Sequence, residues 1–236
     1  ASESLVEMEE GEDRGDLLAA LEPARGAELI HELPDDDAVD LIGELEPHEQ
    51  ERILDELPEE EAGELQDLLK YDEETAGGLM TTDLVAVEVS LDARSALDRV
   101  RVLGREVEDF YTVFVVDAHH RLLGTVRLDD LVTAEPEAAV ETLVEPVVVS
   151  VHPELDQEEV GRLISRYNLA SLPVVTEGDE LLGRITFDDV SDVIEAEQTE
   201  DILRLAGVND EEEIRHTWTE SVRVRLPWLV LNLVTA

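Results

Sequence analysis

Residues 122–132 read LLGTVRLDDLV, and residues 181–190 read LLGRITFDDV. Each begins apolar, passes a glycine (Gly124, Gly183), alternates through β-branched residues and ends on paired aspartates, Asp129–Asp130 and Asp188–Asp189. Alternation followed by acids predicts a strand running into a helix N-terminus, whose positive end suits carboxylates. Upstream of each lies an apolar strand candidate, TVFVVD (112–117) and SLPVVT (171–176), joined to it by the polar turns AHHR and EGDE. Before those come helix patterns at Ala93–Leu103 and Gln157–Tyr167, and lead-in segments GLMTTDLVAVEVSLD (78–92) and TLVEPVVVSVHPELD (142–156). The order β-α-β-β-α therefore occurs twice, in residues 71–133 and 134–187, and predicts two small α+β units packed on each other.

Working outward toward the N-terminus, a second repeat appears. Leu21, Leu33, Leu45, Leu57 and Leu69 recur every 12 residues, and Pro23, Pro34, Pro47 and Pro58 follow the first four. Each unit reads as a short helix opened by proline near its first turn, where the missing N–H costs nothing. Short helices with one apolar stripe each stack as a superhelical array, here within residues 1–70. Residues 1–16 carry no cap and are expected to fray.

On the other side, residues 183–209 (GRITFDDVSDVIEAEQTEDILRLAGVN) predict a strand followed by a long helix, with a connecting region over 188–225. From Asp188 to Asp201 the helix holds seven carboxylates and no base. Like charges at i,i+3 and i,i+4 destabilise a helix unless water and salt, a basic partner or a divalent cation answers them. Residues 226–236, LPWLVLNLVTA, form an uncharged apolar run preceded by Arg223 and Arg225. Eleven residues do not span a bilayer, which needs about 20. The flanking arginines, Trp228 and Pro227 nevertheless predict the start of a transmembrane helix with everything before it on the cytoplasmic side; the alternative is a buried terminal helix.

Composition narrows the function. The 236 residues carry a formal net charge of −44, with Lys70 as the only lysine. Such a surface repels phosphates and excludes nucleic acid as a partner. It is halophile-like, the kind that stays hydrated in concentrated KCl, and a solvated surface is the plain explanation for any one acidic cluster. There is no cysteine, so disulfides, thiolate zinc sites and a cysteine nucleophile are absent. The six histidines show no metal spacing, and no Ser/His/Asp set or phosphate loop stands out, so the chain reads as no enzyme.

Tandem units with Gly-x-x-Thr-x-x-Asp at the second strand–helix junction resemble CBS domains. TAGGLM (Thr75–Met80), IEAEQTED (Ile194–Asp201) and the passage into RLPWLVLNL resemble, in that order, the cytosolic part of the MgtE family of magnesium channels and transporters. The fold class expected is α+β: a short-helix superhelical array, two CBS units and a long linker helix. The resemblance implies a magnesium-sensing region in a cell membrane protein, facing the cytoplasm, dimeric through its CBS domains and attached to its own transmembrane pore domain. The linker would be the plug helix that closes the pore. Matching the family's magnesium-sensing positions are Asp36 and Asp40 in the array, Asp156 and Glu158 in the second CBS unit, and Asp189, Asp192, Glu197, Glu200 and Asp201 on the plug helix. Magnesium suits them, because it takes oxygen ligands and often binds through one or two carboxylates plus waters.

The alternative reading is an adenosyl-nucleotide sensor. In CBS domains the motif's Thr and Asp meet ribose and phosphates, here Thr186 and Asp189, with ATP as the ligand in question. The first copy has Arg127 in place of Thr and keeps only Asp130. Thr112 and Leu169 stand where stacking aromatics would help, and strand alternation turns the neighbouring Tyr111 to the opposite face.

Overall fold

The computed structural model describes residues 12–194 except 106, 108, 109 and 192. They divide after Val190; of the second unit only residues 191, 193 and 194 are described, and they are helical. The acids Asp192, Glu197, Glu200 and Asp201 and the apolar run 226–236 lie outside the described residues. Among the described residues no helix is long and apolar enough to cross a membrane.

Five short helices open the fold: α1 (Glu12–Ala19), α2 (Pro23–Ile30), α3 (Asp35–Gly43), α4 (Pro47–Leu54) and α5 (Glu59–Leu68). Pro23 and Pro47 occupy first helical positions, whereas Pro34 and Pro58 are the N-caps. Each helix packs on the next but one, α1 on α3, α2 on α4 and α3 on α5, which is the expected array. Its core is aliphatic, with Leu18, Ile30, Leu41, Ile42 and Leu65 at or below 1–2% exposure. The fraying expected of residues 1–16 does not hold for residues 12–16, and residues 1–11 lie outside the described residues. Glu12 to Asp16 are helical, and Arg14 is buried because its guanidinium reaches back to Glu44 on the cap of α3.

The first CBS-like unit contains β1 (Ala86–Glu88), α6 (Ala93–Leu103), β2 (Thr112–Val116), β3 (Leu122–Arg127) and α7 (Leu128–Thr133). Strand β1 runs parallel to β2, and β2 antiparallel to β3. Strand β2 is buried on both faces, which is why it reads as an unbroken apolar run. Val113 and Val115 pack with Ala96, Val100 and Leu131, while Phe114 and Val116 meet Val175 and Leu181 of the second unit. That unit contains α8 (Gln157–Tyr167), β4 (Ser171–Val175) and β5 (Leu181–Thr186), followed by a helical turn from 187. Its expected first strand is reduced to one parallel bridge, Val151 to Val174. Pro146 and Pro153 bracket the segment and cannot donate to a ladder, which leaves little room for a regular strand.

Each sheet borrows an edge from the other unit's lead-in. Thr125 bridges Glu145, and Arg184 bridges Thr81. The two diagnostic glycines stand at these crossings. A Cβ on Gly124 would lie 2.4 Å from the Glu145 carbonyl oxygen, and one on Gly183 2.6 Å from that of Thr81. The TAGGLM segment is fastened to the second unit as well, through Ala76 N–H to the Leu155 carbonyl (2.6 Å) and Gly77 N–H to that of Pro153 (2.8 Å).

Candidate functional site

Pro34 starts α3 and thereby puts three consecutive carboxylates, Asp35, Asp36 and Asp37, on its first turn. The helix dipole favours acids there, but each side chain meets a different environment. Asp35 accepts a hydrogen bond from the Thr82 hydroxyl. Asp36 turns inward: its Oδ1 is sealed from solvent without a hydrogen-bond partner. Burial, reinforced by the charges of Asp189 and Asp37, pushes its carboxyl up to about 8. Asp37 is raised too, by burial and by Asp189, with Arg14 opposing and Asp188 adding.

The facing acids belong to the turn after β5. Asp189 Oδ2 accepts from the Thr186 N–H at 3.0 Å and lies 2.5 Å from the Thr186 hydroxyl, which is also 2.6 Å from Asp188 Oδ1. A hydroxyl has one proton to give, so it serves only one of these carboxylates at a time, and when it turns to Asp188 the Thr186 N–H alone is left for Asp189. Burial accordingly raises the Asp189 carboxyl despite its hydrogen bonds. Two arginines, each only 6% exposed, flank the acids. Arg14 holds Glu44 Oε1 through Nε (2.8 Å) and Nη2 (2.5 Å), and Arg184 Nε donates to the Asp83 carbonyl (2.7 Å).

Of the acids singled out from sequence, the fold thus brings Asp36 and Asp189 together. Asp40 is half-buried one turn along α3. Asp156 caps α8, accepting from the Glu158 N–H at 2.9 Å, and Glu158 pairs with Arg162 at 2.5 Å. Sequence reasoning passed over Asp37 as a site residue, because nothing in a run of three aspartates ranks one above another. It also passed over Arg14, which lies in an acidic stretch. Among the described residues no three or more Asp, Glu or His side chains close into a metal sphere. The sealed, partnerless Oδ1 of Asp36 and the hard oxygen donors around it fit magnesium as a ligand set that is begun here rather than completed.

A separate open cleft of about 950 Å³ lies between the two CBS-like units. It is lined by β2, β3 and α7 on one side and by residues 145–149 and 168–173 on the other. Neither Thr186 nor Asp189 lines it. Tyr111 does, contrary to the expectation from strand alternation. It precedes β2 rather than belonging to it, so the pleat does not set its direction.

Comparison with known proteins bears on both sites. Residues 1–74 match the model of the MgtE intracellular N domain, and residues 76–137 and 140–196 match the CBS domain. A crystal structure of the soluble part of a magnesium transporter superposes with a TM-score of 0.77 at 36% identity, covering 83% of this chain and 77% of that one. The chain belongs to the MgtE family. A second solved relative, the cytosolic domain of the Mg²⁺ channel MgtE in complex with ATP, is 37% identical with a TM-score of 0.77, covering 82% of this chain and 79% of that one. The magnesium transporter MgtE of Thermus thermophilus is 40% identical over 175 residues, which is 73% of this chain and 39% of the relative. That of Enterococcus faecalis is 37% identical over 171 residues. The chain thus spans about two fifths of the length of these curated MgtE relatives.

Proposed function

We propose that this chain is the magnesium-sensing gating region of a membrane magnesium transporter or channel. In this reading magnesium bridges carboxylates of the helical array, the second CBS unit and the plug helix, and the bridged state holds the pore closed. The observation that carries it is Asp36, whose Oδ1 is sealed from solvent without a hydrogen-bond partner and whose carboxyl feels the charge of Asp189 from another part of the chain. Like charges brought together out of water are costly unless protonated or answered by a cation. A divalent ion supplies that answer at neutral pH. The chain's own residues supply the rest: α3 presents Asp36 and Asp37, the turn after β5 presents Asp188 and Asp189, and Arg14 and Arg184 hold the flanks. Asp40, Asp156, Glu158, Asp192, Glu197, Glu200 and Asp201 complete the proposed ligand set. We place this region on the cytoplasmic side of the cell membrane, joined to a pore domain and paired with a second copy through the CBS units. We assign it no catalytic role.

The test is magnesium-dependent compaction. Calorimetric titration and limited proteolysis at fixed ionic strength should show binding and protection at millimolar magnesium, and Asp36→Asn or Asp189→Asn should abolish both. Equal proteolysis rates with and without magnesium would refute the reading.

ATP is bound by one solved relative, and this chain's cleft fits its phosphates poorly. Among the described residues lining the cleft Arg127 is the only cation, and it is engaged by Asp129. Nothing in the proposed gating is routed through ATP.

A further inference from the structure

The lead-in segment GLMTTDLVAVEVSLD does more than bring the chain into β1. At Thr81 it is stitched to β5 of the second unit in both directions: the Thr81 N–H donates to the Arg184 carbonyl and the Arg184 N–H to that of Thr81, each at 2.9 Å. Arg184 Nε then donates to the Asp83 carbonyl at 2.7 Å. Residue 82 is thus held on both sides by one strand. Thr81 is sealed at 3% exposure, and its hydroxyl stays within the segment, accepting from the Asp83 N–H at 3.2 Å. Thr82 sends its hydroxyl the other way. It donates to Asp35 Oδ2, on the first turn of α3, 47 residues earlier in the chain.

Two sets of contacts therefore leave β5 and end at the acidic site. Through the lead-in and Thr82 the strand holds Asp35, and Asp36 is the next residue of the same helical turn. Through Thr186, its last residue, the strand holds Asp189 by the Thr186 N–H at 3.0 Å. Both acids are tied to one frame. Packing beside Thr82 contributes little to that frame. An open hollow of about 400 Å³ lies there, with Leu68 and Tyr71 on the array side and Met80, Thr82 and Leu182 on the other. Where side chains do not meet, dispersion contacts are lost, and a directional hydrogen bond to a carboxylate takes their place.

We propose that Thr82 is a positioning residue: its hydroxyl docks α3 on the CBS pair and thereby sets the magnesium concentration at which the acids of the two parts are bridged. The proposal rests on the magnesium reading above and adds a contact that needs no cation. A ligand's apparent affinity is its intrinsic affinity reduced by the fraction of protein already in the competent state. Docking α3 before the ion arrives raises that fraction. Thr82 acts through Asp35 and the helix that carries Asp36, without touching the ion.

The test is isosteric. Thr82→Val keeps the shape and removes the hydroxyl, whereas Thr82→Ser keeps the hydroxyl. A partly exposed hydrogen bond to a charged group is worth roughly a factor of ten in an equilibrium, so Thr82→Val should raise the magnesium midpoint of protease protection roughly three- to tenfold. Thr82→Ser should stay within about twofold of the wild type. Thr142→Val, which removes a hydroxyl donated to the Ala139 carbonyl within its own turn, should leave the midpoint where it is. A midpoint that Thr82→Val does not move, or that Thr82→Ser moves equally, would overturn the proposal. A double-mutant cycle of Thr82→Val with Asp35→Ala, read from urea unfolding of the whole chain in chelator, needs no magnesium. It should show a coupling of roughly fivefold or more in the unfolding constant, and additive effects would overturn the docking contact. A wild type with no magnesium midpoint would overturn the magnesium reading and the threshold with it, and the cycle tells that outcome apart from a failed contact.

Discussion

Replacing the buried carboxyl of Asp36 with an amide, Asp36→Asn, gives the most direct check on the acidic site. The Asp36 carboxyl is raised from its ordinary value of 3.8 to about 8, first by burial and then by Asp189 and Asp37. The folded state therefore holds this proton more tightly than the unfolded chain. Stability from it is fully present below pH 4 and is lost progressively as pH rises toward 8; above that the folded protein carries a buried charge. From pH 6 to pH 7 the unfolded group is ionised while the folded one is not, so the loss runs at about 1.4 kcal/mol per pH unit; it slackens as the folded group titrates, giving roughly 2.3 kcal/mol over pH 6 to 8. For a chain of this size that corresponds to roughly 5–9 °C in Tm. The asparagine variant cannot ionise, so it should be more stable than the wild type above pH 8, with the advantage shrinking toward pH 6. Thermal melts at pH 6 to 9 in chelator, read as the difference between the two proteins, cancel the histidines and the other acids. Magnesium should reverse the effect in the wild type alone, releasing about one proton per ion at pH 7. A wild-type-minus-variant difference that stays flat from pH 6 to 9 would refute the argument, because Asp36 would then ionise as an ordinary surface acid.

Three further outcomes follow. Neutralising three acids within residues 3–13 should leave magnesium-dependent protease protection intact in molar KCl, where a Debye length of about 3 Å screens distant repulsion, while Asp189→Asn abolishes it; equal losses would mean bulk charge neutralisation. Gly183→Ala should destabilise the second CBS unit by about 2–4 kcal/mol in urea unfolding, because its Cβ would meet the Thr81 carbonyl at 2.6 Å and part the Thr81–Arg184 bridge. Asp156→Ala should cost about 1 kcal/mol through the lost cap of α8. Asp156→Ser restores the cap without a carboxylate, so a magnesium titration of that variant separates capping from metal binding.

The chain's local order is written in its sequence. The ranges Ala93–Leu103 and Gln157–Tyr167 are helices with the bounds that their patterns imply, because Asp92 and Asp156 cap them and Gly104 and Asn168 end them. The leucine period and its prolines imply the helical array, and the two LLG segments imply paired hairpins, because these signals act over a few residues. Tertiary structure decided what depends on distant chain. It selected Asp36 as the sealed member of a run of three aspartates, since that choice depends on packing against a turn that begins beyond residue 186. It buried Arg14 within a stretch expected to fray, made Asp156 a helix cap, and reduced the first strand of the second unit to one bridge. It also aimed Tyr111 into the cleft. Periodicity says which face of an element is apolar; the desolvation of a single carboxylate is set by what the folded chain lays against it.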